Sequence, residues 1–330
     1  MNLGVKIILI FLFSGLITKI YSQDPEFTQF YANPLYLNPA FAGTNYGPRF
    51  CINYRNQWTG VSNSFVTYSA SYDQHFDALS GGLGFQLTYD KAGIGELTST
   101  SGNFIYSYNL NISKKFTIKT ALQASVMQRS IDFNKLSFTD EIHPRFGFIN
   151  TTEEPLLAHG NYKTDPRLDM SVGFMGFSKK FYAGFAVHHI NEPTYTFLEN
   201  SLSKIPRKYT THVGMLIPLE NIRNPNVFFS PNILFQKQGS FVQFNIGGYY
   251  INKNIMTGLW FRQTFVNTDA FLILFGLNKG HFKAGYSYDI IFSEARLGTH
   301  GSHEISVIIE LEVFDDTPTN RWKKIICPSF

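Results

Sequence analysis

Histidines and acids gather at a few points of this 330-residue chain, and each gathering has a chemistry it could perform. His300-Gly301-Ser302-His303-Glu304 has the composition of a metal or acid-base cluster, but it lacks the second histidine of a zinc-protease HExxH helix and lies at a loop-to-strand junction. A polar rim on a strand accounts for it more simply. His188-His189 closes a strand pattern ahead of Asn191-Glu192-Pro193. Neighbours on a strand point to opposite faces, so the two rings are not expected to share a metal. Asp140-Glu141 with His143, and Glu153-Glu154 with His159, fall in one long connection, where carboxylates either bind a divalent ion or face water. The chain has no GxSxG, no P-loop and no CxxC. A lipid hydrolase using Ser and His at strand ends finds nothing specific here. No catalytic residue, metal or cofactor is expected.

Tyr54-Arg55-Asn56-Gln57-Trp58, in the first strand pattern, has a different use. Arg55 and Trp58 at a strand end suit an aromatic girdle with a snorkelling cation. They equally suit a partner-binding rim, since a guanidinium beside an indole favours protein contacts.

What must position these residues is a series of strands. Aromatics make up 16% of the chain and charged residues another 16%, with 26 glycines, a balance that fits aromatic-rich strands joined by tight turns. From Phe50 onward apolar and polar residues alternate. Val66, Tyr68, Ala70, Tyr72 and Phe76 oppose Thr67, Ser69, Ser71, Asp73 and His75, and Ile305, Val307, Ile309 and Leu311 oppose Glu304, Ser306, Glu310 and Glu312. We count about 14 such segments of roughly 9 to 13 residues, a length that suits tilted strands crossing a bilayer. Ser113-Lys114-Lys115, Ser178-Lys179-Lys180, Asn252-Lys253-Asn254 and Asn278-Lys279-Gly280 read as tight turns after even-numbered strands, while the long connections, 132–166 and 191–206, follow odd ones. A soluble sandwich gives turn length no reason to follow parity. The expected fold is therefore all-β: a transmembrane antiparallel barrel of about 14 strands with short periplasmic turns and longer outer loops.

The ends of the chain are distinct. Residues 1–22 read as a secretory signal, with Lys6 before an apolar core from Ile7 to Ile17 and Ser22 at the expected cut. Removing them leaves a formal charge of +2, which gives no reason to expect nucleic acid. Residues 23–49 are expected to form an irregular periplasmic segment, 50–314 the barrel, and 315–330 a periplasmic tail. Gln23–Gly43 contains Pro25, Pro34 and Pro39, which disfavour a regular element. Yet Phe27, Phe30, Tyr31, Leu35, Tyr36 and Leu37 need burial. They are expected either to plug the periplasmic mouth or to dock on a periplasmic partner. Cys51 and Cys327, the only cysteines, form one candidate disulfide.

The opening QDPEFTQFYANPLYLNPAFAG resembles the start of mature PorP/SprF proteins of the type IX secretion system. Tyr54–Trp58, Gly301–Ile305 and Cys327-Pro328-Ser329-Phe330 resemble that family's YRNQW, GSHEI and CPxF stretches, and Asp165–Asp169 leading into Phe177–Gly184 resembles its middle portion. The similarity spans the mature chain except for the loop 139–164. It implies an outer membrane barrel without enzymatic activity, working in type IX secretion or gliding motility. The partners it implies are a large secreted surface adhesin or its C-terminal domain, or periplasmic lipoprotein and peptidoglycan-binding components, besides outer membrane lipid. A solute channel, its lumen lined by Asp73, His75, Asp90, Lys119, Arg262, Lys283, Asp289 and Glu310, is the alternative.

Overall fold

A computed structural model describes residues 23–312, apart from 46, 62–63, 114–115, 149–151, 154–159, 179, 196, 198–202, 220–225, 265–269 and 293–295. The signal segment and the Cys327 tail thus lie outside the described residues, as do Glu154 and His159.

The alternation becomes fourteen long strands. They are β1 (Arg49–Gln57), β2 (Phe65–Phe76), β3 (Gly81–Ala92), β4 (Leu97–Asn111), β5 (Thr117–Asp132), β6 (Arg167–Phe177) and β7 (Phe181–His188), then β8 (Lys208–Met215), β9 (Val227–Gln238), β10 (Phe241–Asn252), β11 (Ile255–Thr264), β12 (Ala270–Lys279), β13 (Phe282–Ile291) and β14 (Ser302–Glu310). Each pairs antiparallel with the next, and β14 returns to β1 in the register Arg49↔Glu310 to Gln57↔Ser302. The sheet therefore closes into a barrel with no free edge.

The two faces separate as period-two alternation requires. Outward-facing Ile52, Tyr68, Phe85, Phe104, Leu122, Phe174, Leu259, Phe275 and Ile305 are exposed around the wall. Inward-facing Asn53, Ser69, Gln86, Asn103, Ser125, Thr210, Asn245, Ser287 and Ser306 are buried. An apolar outside around a polar inside inverts a soluble core and matches a barrel whose outer solvent is lipid.

Connections differ between the ends. At one end, hereafter the turn end, β10–β11 and β12–β13 are joined by turns in which Lys253 (φ 51°) and Gly280 (φ 63°) take the left-handed conformation. The opposite, loop end carries 133–166, which adds a short strand (Asn161–Lys163) to β5, and 189–207. Parity governs length only in part. At the loop end β9 and β10 are joined by Gly239-Ser240 alone, and at the turn end 216–226 is long enough to add Ile217–Pro218 beside β9.

The largest departure from expectation is the N-terminal segment. Gln23–Asn45 does not lie on one side of the barrel; it occupies the lumen from end to end. Asp24 meets the loop ends of β7, β8 and β9 through His189, Lys208 and Gln238. Gly43 meets Asp73 on β2 at the turn end. The segment also contains short helical pieces, Phe30–Ala32, Pro34–Leu37 and Pro39–Phe41. Pro34 and Pro39 each sit at the start of a turn, where the missing amide is not needed.

Candidate functional site

The lumen and the segment that fills it form the candidate site. Phe27, Phe30, Tyr31, Leu35 and Leu37 are all buried, none more than 4% exposed. Phe30 packs edge-on against Trp260 of β11 at 5.2 Å. Tyr31 meets Tyr182 of β7 at 5.8 Å and Tyr249 of β10 at 6.2 Å. Tyr36 is half-buried: its hydroxyl donates to the Pro25 carbonyl, its ring lies 5.0 Å from Phe27, and Lys208 sits over its face. The apolar residues thus pack on a few inward-facing aromatics.

Polar residues of the segment do the anchoring. The Thr28 hydroxyl donates to Asp289 of β13 at 2.7 Å, and its amide donates to Glu304 of β14 at 2.6 Å. The Gln29 amide reaches the other Glu304 oxygen at 3.1 Å, and its side-chain amide donates to the Glu304 carbonyl. Gln86 donates to the Asn33 side-chain carbonyl at 2.9 Å. Asn38 donates to the Phe174 carbonyl and contacts His212, while its own carbonyl accepts from Ala40.

Space for this route is reserved in the wall. A Cβ on Gly173 of β6 would fall 2.2 Å from the Asn38 side-chain oxygen. At the turn end Gly43 (φ 63°) crosses Gly82 so closely that a Cβ on Gly82 would come within 2.5 Å of the Gly43 Cα.

Arg55 belongs to this network and not to a girdle. It points inward, 2% exposed, and binds Asp289 at 2.8 Å, Glu304 at 3.2 Å and the Thr28 hydroxyl. Arg262 of β11 reaches the same Asp289 at 3.1 Å. Removing ions from water is costly unless they are paired and hydrogen-bonded, and here two guanidiniums meet two carboxylates with the segment's own donors filling remaining positions. A second pair, Arg49–Asp73 at 2.8 Å, secures the turn end, where Arg49 also donates to the Phe41 carbonyl. Trp58 stands at the loop end of β1 with φ 61°, its ring 5.1 Å from Phe65.

The histidine clusters resolve differently. His303 meets Tyr286 and Tyr288 beside β14, whereas Glu304 faces the lumen, so the two cannot act together. His188 and His189 both face the lumen, contrary to simple alternation, because His189 leaves the strand with φ 57°. Its two nitrogens contact Asp24 at 2.9 Å and Asp169 at 3.0 Å. Burial alone would lower the His189 pKa, but Asp24 and Asp169 raise it to about 10. Burial likewise opposes ionisation of Asp24, yet His189 and Lys208 hold it well below the usual carboxylate range. In the long loop, Asp140 accepts from Thr152 and the Glu153 amide. Among the described residues no three His, Cys, Asp or Glu side chains are placed to share an ion.

Above the segment, toward the loop end, a cavity of about 600 Å³ remains. Its floor includes Asp24, Leu35 and Tyr36, and its walls include Asp90, Arg129 and Trp58. Of the residues expected to line an open path, Asp73, Arg262 and Asp289 are held in the ion network, and Lys283 pairs with Glu310 at 3.0 Å. Cys51 is buried in the lumen; its candidate partner Cys327 lies outside the described residues.

Sequence reading missed Thr28, Gln29, Asn33 and Asn38. Their signal was present: polar residues spaced among aromatics in a segment too apolar for a linker, facing strands that carry Asp289 and Glu304 on their polar side.

Among solved structures, the chain is similar to the Acinetobacter baumannii outer membrane protein Omp33, at 9% identity and a TM-score of 0.44, over 82% of this chain and 100% of that one. It is also similar to a Pseudomonas aeruginosa FadL homologue, at 10% identity and a TM-score of 0.44, over 83% and 92%. A KdgM porin matches at 7% identity and a TM-score of 0.37, over 80% and 99%. No curated protein matches in sequence. A family model described as type IX secretion system membrane protein PorP/SprF matches residues 20–309.

Proposed function

Because the chain belongs to the PorP/SprF family of type IX secretion system membrane proteins, we propose that this outer membrane barrel is a non-enzymatic scaffold, holding a secreted surface adhesin or linking the membrane to periplasmic components of the machine. The observation that carries this reading is the filled lumen. A barrel that spends buried ion pairs and aromatic packing on fixing its own N-terminal segment across its interior is built to present surfaces, not to pass solutes.

In this reading the turn end faces the periplasm and the loops face outward. Cleavage after Ser22 then leaves Gln23 inside the lumen near the outer face, and the stretch beyond Gly43 at the periplasmic mouth. The surfaces free to bind are the outer loops, the cavity beneath them, and the periplasmic turns.

The test is a deletion strain. It should fail to retain the adhesin on its surface, with rescue by the intact gene, and crosslinking in intact outer membranes should capture an adhesin or a secretion component. An unchanged cell surface contradicts the proposal. The polar lumen and its 600 Å³ cavity keep one alternative in play, a solute channel, which requires steady conductance from the purified protein.

A further inference from the structure

The N-terminal segment satisfies the lumen unevenly. Along β1, β11, β13 and β14 its donors and acceptors meet Arg55, Arg262, Asp289 and Glu304. Across the cavity the wall formed by β3, β5, β6 and β7 is met by the segment only in places, where Gln86 donates to Asn33, the Phe174 carbonyl accepts from Asn38 and His189 holds Asp24, and no group of the segment reaches Arg129 of β5. There, among the described residues, Thr88 Oγ1, Gln123 Oε1, Arg129 Nε, Ser171 Oγ and His188 Nε2 are buried without a hydrogen bond. All five side chains line the cavity.

Arg129 is the most demanding of them. It points inward from β5, 7% exposed, with no carboxylate within ion-pair distance among the described residues. Its guanidinium lies 4.9 Å over the ring of Tyr195, from the 189–207 loop. A planar guanidinium stacked on an aromatic face keeps its edge available for a carboxylate. The cavity's other acids on this side already have partners: Asp90 accepts from Thr67 at 2.7 Å, and Asp169 holds His189.

The same barrel shows what chemistry such a wall accepts. Its loop end already grips one carboxylate on an extended peptide, Asp24, through His189 and Lys208. We propose that the β3–β7 wall is a binding site for a second extended peptide, alongside the first, whose acidic side chain or terminal carboxylate seats on Arg129. Thr88, Gln123, Ser171 and His188 line the same side of the cavity and give the peptide a polar wall beside Arg129. Asp90 and Asp169 repel negative charge elsewhere and so fix the carboxylate at Arg129. A volume of about 600 Å³ is within the range of ligand sites and admits a short stretch of one strand, not a folded domain. The site deepens the scaffold reading, on which it rests, by naming the kind of segment a secreted partner would insert.

The test uses the purified full-length barrel in nanodiscs and a fluorescein-labelled Ser-Thr-Glu-Thr-Ser peptide, read by anisotropy. Replacing the peptide's Glu by Gln, with its terminus amidated, should weaken binding about tenfold or more, as loss of a charge-assisted contact requires. Arg129→Gln should do the same to the acidic peptide and remove the difference between the two. The peptide pair needs no variant, so the test survives if Arg129→Gln fails to fold. Equal binding of the two peptides, no binding at millimolar concentration, or tighter binding of neutral maltopentaose overturns the proposal. None of these outcomes alters adhesin retention in the deletion strain, which judges the scaffold reading separately.

Discussion

Phe30→Asp should release the N-terminal segment and leave the barrel standing. Phe30 is 4% exposed and packs on Trp260 at 5.2 Å. Deleting a buried phenylalanine side chain costs about 3–5 kcal/mol. A buried, unpaired carboxylate adds more. Every 1.4 kcal/mol is a factor of ten, so the displaced state should gain at least about a hundredfold in population. The chain carries its own reporter, because Cys51 faces the lumen, is 1% exposed and belongs to the same buried cluster as Phe30. In a Cys327→Ser background it is the only thiol. Maleimide labelling of Cys51 should be slow in the parent and about a hundredfold faster with Phe30→Asp, while heat-modifiable migration shows that both barrels are folded. If the folded parent labels as fast as unfolded protein, or Phe30→Asp changes nothing, the segment does not occupy the lumen as described.

Other consequences concern charge and shape. Arg55→Met strands Asp289 and Glu304 beside a single remaining guanidinium, and should lower barrel stability by about 3–5 kcal/mol in urea unfolding from detergent; adding Glu304→Gln should recover part of it. Gly173→Val should weaken segment docking by about 1–3 kcal/mol, measured as Cys51 labelling, through the clash with Asn38. The same substitution should be neutral to stability once residues 23–45 are deleted. The Asp24–His189 contact gives a pH window. The raised His189 pKa contributes stability that is full below pH 6.5 and lost as pH climbs toward about 10. The depressed Asp24 pKa contributes stability present above its ordinary 3.8 and lost on acidification. A spin label on Gln23→Cys, in a background free of other cysteines, should be immobile at pH 6 and gain mobility between pH 7 and 10; a flat profile counts against the clamp.

The barrel was legible because alternation writes itself directly into sequence: Thr67, Ser69, Ser71 and Asp73 had to share one face, and that face is the lumen. Strand number and the tight turns at Lys253 and Gly280 followed from the same pattern. The route of residues 23–45 was not legible, because periodicity sets which way a strand residue points but not what fills the space between walls. Arg55 was misplaced for that reason. Its partners, Asp289 and Glu304, lie more than two hundred residues away and come together only when β14 closes on β1. His189 shows the limit of alternation itself, since one left-handed residue past a strand end returns a side chain to the face its neighbour uses.

Single-channel recording in planar bilayers tests the central claim most directly. The purified wild-type barrel should be electrically silent, and the same barrel lacking residues 23–45 should show steady ohmic conductance. Equal steady conductance from both would contradict the account, since the segment would then not close the lumen.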